Sequence, residues 1–261
     1  MNNIVDKIKI TGKTAIVTGG HSGIGRGISE ALCQAGANLV IAGRREELGQ
    51  QVADEISKSC NVKAIFVKTD ITVMADIQNL VDVTVKTFGS IDILVNCSGT
   101  VHHENAEDVS YENWRKIMDV NLDGLFFVSQ AVGRVMIAQK RGNIINISSN
   151  SDNLVMTPQT QASYNASKAG VDMVTKCLAY EWAKHNIRVN AVAPGYVKTD
   201  ILPDTKDDNG RPWLDIWHDM IPLGRMGTPQ EIAAMVLYIA SDMSPFLTGS
   251  VLLMDGGYSL T

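Results

Sequence analysis

The sequence has little of several residue types that mark particular classes of protein. It contains only 4 cysteines in 261 residues, widely spaced and without a C-x-x-C pair, so neither a zinc site nor a disulfide framework is indicated. The thiols are therefore expected to be free, as in a reducing compartment. With 7 prolines, no internal repeat and no Pro/Gly/Ser-rich linker, nothing divides the chain, and we expect one domain over residues 1–261.

Basic clusters and long apolar runs are also scarce. The net charge is -5, and no lysine/arginine cluster is longer than the one in "GRRE" at residues 43–46, which argues against nucleic-acid binding. The N-terminal residues "MNNIVDKIKITGK" lack the apolar segment of a signal peptide, and no uninterrupted apolar run has the length of a membrane span. These features predict a cytoplasmic protein that binds neither nucleic acid nor membranes.

What the sequence does have is a regular alternation of strand-like and helix-like segments. Seven β-rich runs begin at residues 14, 38, 64, 91, 142, 187 and 250, and each is nearly continuous in apolar residues. Continuous runs are typical of parallel strands that are covered on both faces. Segments with helical periodicity lie between them, notably at 23–36, 123–140 and 162–185. The pattern predicts an α/β doubly wound Rossmann fold, with a seven-stranded parallel sheet and helices on both faces.

One segment, residues 199–226, breaks this alternation. It is long, charged and proline-containing, and it follows the C-terminal end of the sixth strand, where such sheets bind ligands. We interpret it as a substrate lid, with a disordered insert as the alternative. Its notable side chains are the charged Asp204, Lys206, Asp207, Asp208 and Arg211, and the helically spaced Trp213, Trp217 and His218, for which substrate contact and plain burial both remain open.

A glycine-rich loop, "TGGHSGIG" at residues 18–25, joins the first strand to the first helix. Glycines let the backbone approach a pyrophosphate, whose charge is met by amide groups and by the positive end of the helix. The spacing Gly19-x-x-x-Gly23-x-Gly25 departs from the usual G-x-G-x-x-G.

This loop resembles the threonine-glycine loop of the short-chain dehydrogenase/reductase family. Further family motifs follow in order along nearly the whole chain: "NCSG" at 96–99, "DVNLDG" at 119–124, "INISS" at 145–149, "YNASK" at 164–168, "RVNAVAPGYVKTD" at 188–200 and "LTGSVLLMDGG" at 247–257. The resemblance implies a homotetramer in which the helices at 123–140 and 158–185 pack between subunits.

The resemblance also implies a nicotinamide cofactor. Gly43 holds the position where the NAD-preferring relatives usually have aspartate, and an arginine near this position accommodates the 2′-phosphate of NADP. We predict NADP(H), with NAD(H) as the alternative, Arg44 as the main phosphate partner and Arg45 as a second; two solvated arginines are the competing interpretation. The cofactor-binding set that the resemblance implies is Gly19, Ser22, Gly23, Ile24, Gly25, Arg44, Arg45, Asp70, Ile71, Asn96, Tyr164, Lys168, Pro194, Gly195, Val197 and Thr199. In this comparison Asp70 contacts the adenine, Asn96 contacts the ribose side, and the segment with Pro194, Gly195, Val197 and Thr199 lines the nicotinamide.

Hydride transfer between a carbinol carbon and nicotinamide needs a partner for the hydroxyl proton. Tyr164 and Lys168 are four residues apart, so they share a helix face, and a nearby ammonium favours the phenolate. On the spacing alone an exposed pair is the alternative. The resemblance makes Tyr164 the proton-transfer residue and Lys168 its partner, which also binds the nicotinamide ribose. It makes Ser149 the substrate-binding hydroxyl and Asn121 the holder of a water that relays protons from Lys168.

The choice of serine depends on register. The strand end "GNIINISS" selects Ser149, fifteen residues before Tyr164, whereas the shorter spacing usual among relatives selects Ser151. A longer loop of this kind occurs in relatives that reduce ketoses such as sorbose. In the segment "NCSG", which departs from the family's usual sequence at this turn, we expect Cys97 to be a buried structural thiol rather than a redox group. His102 and His103, which follow it, are either substrate neighbours or an exposed pair.

These features together predict an oxidoreductase that interconverts a secondary alcohol and a ketone. The polar lid and the loop at 149–164 favour a small polyol or ketose as substrate, with a 3-oxoacyl thioester as the alternative. A non-catalytic NADP-binding sensor on the same fold is the candidate from another class. The full set Asn121, Ser149, Tyr164 and Lys168 argues against it, because a sensor has no need of all four.

Overall fold

The computed structural model describes residues 4–199, 205–207 and 209–260. The strands are β1 (Thr14–Thr18), β2 (Asn38–Gly43), β3 (Ala64–Lys68), β4 (Ile93–Asn96), β5 (Gly142–Ile147), β6 (Ile187–Pro194) and β7 (Val251–Met254). The helices are α1 (Gly23–Gln34), α2 (Glu46–Cys60), α3 (Met74–Phe88), α4 (Tyr111–Met118), α5 (Leu125–Gln139), α6 (Ala162–Trp182), α7 (Trp213–Met220) and α8 (Pro229–Ala240).

All seven strands pair in parallel in the order β3-β2-β1-β4-β5-β6-β7, which confirms the predicted fold. Alternate residues of the strands enter two separate cores. Ala15 and Val17 of β1 pack with α1, α2 and α8 on one face, whereas Ile16 packs with α3, α5 and α6 on the other. This double burial explains why the strands are continuously apolar. The strand order reverses between β1 and β4, and in sheets of this type the ligand crevice lies at the carboxyl ends of the strands at such a reversal.

One continuous helical stretch, Tyr111–Gln139, is long and apolar enough to cross a bilayer by length and composition alone, with a mean hydropathy of 1.2. It comprises α4, a π-helical turn over Asp119–Gly124, and α5. Half of its apolar window is buried inside the fold, where Val128, Val132 and Met136 pack in the core beneath the sheet. A core helix of an α/β layer accounts for this stretch.

The expectation that all four cysteines are free is wrong for one pair. Cys33, in the last turn of α1, forms a disulfide with Cys60 at the end of α2, with 5.9 Å between their Cα atoms. The two residues are 27 positions apart, and only the packing of α1 beside α2 brings them together. Cys97 and Cys177 are free. The cysteines therefore give no support to the expected reducing compartment.

The described part of residues 199–226, the segment interpreted above as a lid, contains the helix α7. Its charged groups interact with one another. The carboxylate of Asp207 accepts hydrogen bonds from the amides of Asn209 and Arg211, and the Arg211 guanidinium pairs with Asp219. Asp204 and Asp208 lie outside the described residues. The lid charges described here stabilise the segment's own turns and carry no argument about the substrate.

Candidate active site

The glycine loop brings the backbone of β1 and α1 into close contact. A Cβ atom on Gly25 would lie 2.3 Å from the carbonyl oxygen of Gly19, and Gly19 itself has a φ of +69°. Neither position tolerates a side chain without displacement of the backbone. The first residues of α1 have no capping side chain, because Ser22 makes no cap hydrogen bond. The loop therefore leaves a helix N-terminus open to an anion.

His21 and Arg45 lie at the mouth of this loop. The Nε of Arg45 donates to Nε2 of His21 at 3.0 Å, and its Nη2 donates to Oγ of Ser22 at 2.7 Å. The structure therefore folds Arg45 back over the glycine loop. No role was assigned to His21 from the sequence, although the position of this residue inside the glycine-rich loop "TGGHSGIG" could have indicated one.

Arg44 lies near enough to Asp70, in the loop after β3, for its charge to act on that carboxylate. Burial opposes ionisation of Asp70, but hydrogen bonds from the amide and hydroxyl of Thr72, together with the Arg44 charge, lower its pKa overall. Ile71 beside it is buried against Gly124. Arg44 and Asp70, two predicted cofactor residues, thus lie near each other beyond the ends of β2 and β3.

Asn96 ends β4 and is fully buried. Its Nδ2 donates to Ser129 at 2.8 Å and to Asn146 at 2.9 Å. The amide oxygen of Asn96, Oδ1, is buried and has no hydrogen-bond partner among the described residues, so only the Nδ2 group is engaged inside the protein.

Cys97, next in the chain, carries a thiol whose burial raises its pKa to about 12, against the charge of nearby Lys168. A thiol that stays protonated is a poor nucleophile, which favours the structural interpretation.

Tyr164 and Lys168 lie on the first two turns of α6 and meet as the spacing predicted. The Nζ of Lys168 is 5.6 Å from the centroid of the Tyr164 ring and donates to the carbonyl oxygen of Ile147 at 2.8 Å. Lys168 is only 5% exposed. The last residue of β5 therefore fixes the ammonium in place beside the phenol, and an exposed surface pair is excluded.

Asn121 lies in the π-helical turn between α4 and α5. Its Oδ1 accepts from the amide of Thr100 at 2.8 Å, and its Nδ2 donates to the Thr100 carbonyl at 2.8 Å and to Ser167 at 3.1 Å. The side chain thus clamps the loop after β4 to the helix that carries Lys168. A π turn also loosens main-chain carbonyls from the helical ladder, which is common at functional sites.

Both candidate serines follow β5 and both are buried. Ser149 accepts a hydrogen bond from the amide of Ser151 at 3.2 Å, whereas the hydroxyl of Ser151 accepts from Nε2 of Gln161 at 3.2 Å. Ser151 is thereby tied to the residue just before α6. Ser149 has no such side-chain partner among the hydrogen bonds of the described residues.

The segment after β6 closes the crevice from the other side. A Cβ on Gly195, just after Pro194, would lie 2.8 Å from Cα of Asp255, and Val197 pairs with Gly227. A Cβ on Gly23 would lie 3.5 Å from Cγ2 of Thr199. The glycine loop and the predicted nicotinamide segment are therefore neighbours.

An aromatic cluster beneath the lid was not recognised in the sequence. Tyr196 stacks on Trp217 with ring centroids 4.2 Å apart, and Gln159 joins them, donating to the Tyr196 hydroxyl at 2.7 Å and accepting from the Trp217 indole at 3.1 Å. Trp217 is therefore a packing residue. Trp213 contacts the ring of His103 edge-on at 5.1 Å, whereas His102 faces Glu104, so the two histidines point apart.

Asp152 and Asp172 form a second feature that the sequence did not reveal. They lie behind the serine loop, Asp172 one turn beyond Lys168 on α6. Burial raises the pKa of Asp172 to about 7, and its hydrogen bond with Asp152 acts in the same direction, against a hydrogen bond from Ser148. At low pH the two carboxyls can share a proton.

This pair predicts a pH-dependent stability. Because the folded-state pKa of Asp172 is raised, its stabilising contribution is complete below the normal carboxyl pKa and is lost as the pH rises through about 7. Asp172→Asn should therefore raise the midpoint of thermal unfolding at pH 8, with a much smaller change at pH 5. The exposed Asp82→Asn is the matched control; equal effects of both variants at pH 8 would contradict the assignment.

Comparison with known proteins establishes the class and then the family. A family model described as "Enoyl-(Acyl carrier protein) reductase" matches residues 18–259. Similar proteins are named as dehydrogenases and reductases, so the chain is an oxidoreductase. It belongs to the short-chain dehydrogenase/reductase family, whose members bind a nicotinamide cofactor.

The similar proteins include enzymes of two substrate classes. The chain is 38% identical to galactitol 2-dehydrogenase (L-tagatose-forming) of Cereibacter sphaeroides, covering 97% of each chain. It is 37% identical to sorbose reductase of Candida albicans over 99% of this chain and 91% of that protein. It is 38% identical to 3-oxoacyl-(acyl-carrier-protein) reductase of Chlamydia muridarum over 95% of this chain and 98% of that protein.

A solved structure agrees with the fold. The gluconate 5-dehydrogenase of Burkholderia cenocepacia, in complex with NADP and tartrate, matches with a TM-score of 0.91 and 33% identity, covering 99% of this chain and 100% of that one. In the present chain, the side-chain-free cradle of Gly19 and Gly25 fits a dinucleotide at this place, as does the buried Nδ1 of His21, which has no hydrogen-bond partner in the part of the chain that the structure describes.

Proposed function

We propose that the protein is an NADP(H)-dependent oxidoreductase that interconverts a secondary alcohol and a ketone on a small polyol or ketose. The observation that carries the substrate class is Asn150, which is 1% exposed and whose Nδ2 has no partner among the described residues. It lies 3.4 Å from the position of a Cβ on Gly195, at the predicted nicotinamide segment. A buried amide donor at the reaction centre suits a hydroxyl-rich substrate. The galactitol and sorbose relatives support the same class.

In this proposal the residues of the chain transfer one proton and bind the substrate oxygen. When bound, the nicotinamide supplies the hydride acceptor or donor. Tyr164 exchanges the proton of the substrate hydroxyl, and Lys168, fixed by the Ile147 carbonyl, binds the ribose. Ser149 donates to the substrate oxygen, where negative charge develops. Since both amide atoms of Asn121 are engaged, its main-chain carbonyl would hold the relay water.

A second candidate is reduction of a 3-oxoacyl thioester. One observation favours it: the lid helix α7 lies on an apolar cluster that includes Met156, Trp217, Ile221 and Met226, which suits an acyl chain. The Chlamydia muridarum relative supports this class.

The test is a substrate screen that follows NADPH oxidation with fructose, sorbose, xylulose and a 3-oxoacyl thioester. We expect turnover with at least one ketose and a far lower kcat/KM with the thioester. Turnover of the thioester alone would overturn the polyol proposal, and turnover of none with intact NADPH binding would place the substrate outside both classes.

The cofactor preference gives a separate prediction. Arg44→Ala should weaken NADPH binding more than NADH binding, because only NADPH carries the 2′-phosphate that the guanidinium would meet. Dissociation constants from the fluorescence of the bound nicotinamide measure this effect. An unchanged ratio of the two constants would remove Arg44 as the main phosphate partner, whereas Lys140→Ala, at the end of α5, controls for the loss of a surface cation.

We also propose that the protein associates with further copies of itself as a tetramer. A groove of about 870 Å³ runs between α5 and α6, lined mainly by apolar side chains that include Phe126, Phe127, Met173 and Trp182. It coincides with the helices that the family resemblance assigns to subunit contacts. Arg134 and Glu181 in the groove carry opposite charges, so a two-fold related copy can pair them. Light scattering should give the mass of a tetramer.

A further inference from the structure

His21 occupies the space in which a side chain at position 43 would begin. Its imidazole is buried, with only 6% exposed, and lies over the end of β2. A Cβ placed on Gly43 would be 2.4 Å from Cε1 and 2.6 Å from Nδ1 of His21. Such distances are too short for any real contact, so a side chain at position 43 and the imidazole of His21 cannot both occupy their present places.

The hydrogen bonds of His21 define which nitrogen carries the proton. Because Nε of Arg45 donates to Nε2 of His21 at 3.0 Å, Nε2 must hold its lone pair. The proton of the neutral ring is then on Nδ1, and burial, followed by the charge of Arg45, lowers the pKa of His21 and keeps it neutral. Nδ1 is buried and has no partner among the described residues. A buried donor without an acceptor is costly unless a ligand supplies one.

The same contacts fix Arg45. Arg45 is the N-cap residue of α2, and its exposed side chain is held by two hydrogen bonds, to His21 and to Ser22. Holding a flexible guanidinium before a ligand arrives reduces the entropy lost on binding. The side chain of Arg44 makes no hydrogen bond or ion pair with the described residues and acts on Asp70 only through its charge. The arginine with the preformed position is therefore Arg45.

We propose that His21 is a cofactor-specificity residue: it takes the place of the aspartate side chain of NAD-preferring relatives, presents Nδ1–H to the 2′-oxygen substituent of the adenosine ribose, and positions Arg45 for the 2′-phosphate. This inference rests on the proposed preference for NADP(H). Its physical basis is a reversal of hydrogen-bond polarity. A carboxylate accepts a hydrogen bond from a ribose hydroxyl, whereas an imidazole N–H and a guanidinium donate to a phosphate, which only accepts.

The first test measures binding without turnover. Adenosine 2′,5′-bisphosphate and adenosine 5′-monophosphate are titrated calorimetrically into the full-length protein. His21→Ala should weaken the bisphosphate about tenfold, as expected for loss of a charge-assisted contact. It should leave the monophosphate nearly unchanged. His21→Asn, whose amide can replace Nδ1–H, should recover part of the loss. His185→Ala, after α6, controls for removal of an imidazole elsewhere.

The second test is a double-mutant cycle between positions 21 and 43, read out as NADH affinity. Gly43→Asp alone should not improve NADH binding, because the imidazole blocks the carboxylate. His21→Ala/Gly43→Asp should bind NADH about tenfold more tightly than Gly43→Asp, an interaction expected only for residues in contact. Thermal unfolding of each variant verifies that it is folded.

The outcomes separate the two proposals. Wild-type protein that binds the monophosphate as tightly as the bisphosphate would overturn the NADP(H) preference, while the cycle still tests the contact between the two positions. If the preference holds but His21→Ala leaves the bisphosphate affinity unchanged, His21 has no role in specificity. If Gly43→Asp increases the affinity for NADH equally in proteins with and without His21, the inference is also overturned.

Discussion

Tyr164→Phe is expected to abolish turnover and leave NADPH binding nearly intact. The hydroxyl is the atom that exchanges the substrate proton, and losing a positioned acid–base group typically costs about 10²–10⁴-fold in rate. Lys168 does not depend on that hydroxyl for its position, because its ammonium is held by the Ile147 carbonyl at 2.8 Å. The ribose contact should therefore survive. Single-turnover rates and nicotinamide fluorescence measure the two effects separately.

The control for this variant is Tyr111→Phe, which removes a phenol hydroxyl from a side chain that is 81% exposed at the start of α4. It should be as active as the wild type. Retained activity in Tyr164→Phe would disprove the acid–base assignment, and lost NADPH binding would show that the phenol contributes mainly to the cofactor site.

Ser149→Ala is expected to cost far more rate than Ser151→Ala. Removing one hydrogen-bond donor to a developing oxyanion lowers kcat by about 10²–10³-fold in known cases. Ser149 is the first residue beyond Ser148, whose amide continues the pairing of β5 with β6, so it lies at the crevice edge of the sheet. The hydroxyl of Ser151 is already used by Gln161, and its loss should affect mainly the loop.

Each serine variant also needs a stability measurement. Ser149 accepts the amide proton of Ser151, so part of any effect of Ser149→Ala on rate could come from the loop. Unchanged thermal unfolding together with a large fall in kcat assigns the loss to chemistry. The opposite ranking of the two serines would show that the register taken from the strand end is wrong.

The fold was predictable from the sequence because each strand is buried on both faces. A strand such as "TAIVT" contributes to both cores, and this produces a continuous apolar run that is recognisable without any partner. Tyr164 and Lys168 were predictable for a similar reason. Their contact is local, set by the helical repeat, and the structure needs only to supply the Ile147 carbonyl.

The features that the sequence did not reveal all depend on contacts between distant segments. The Cys33–Cys60 disulfide requires α1 and α2 to lie side by side. The stacking of Tyr196 on Trp217 requires the lid to fold back over the end of β6. Raised proton affinity in Asp172 comes from burial against another carboxyl, which no local pattern of charges indicates. The pattern of residues in a single sequence shows periodicity within a segment, but it does not show which distant segments come into contact.

The contact between His21 and Gly43 restricts the combinations of substitutions that this chain can accumulate. A side chain at position 43 would begin 2.4 Å from the imidazole, so that position is closed while His21 stays in place. A smaller residue at position 21 opens it. An acidic residue on β2 therefore requires that the imidazole of His21 be displaced or replaced, so substitutions at positions 21 and 43 are coupled.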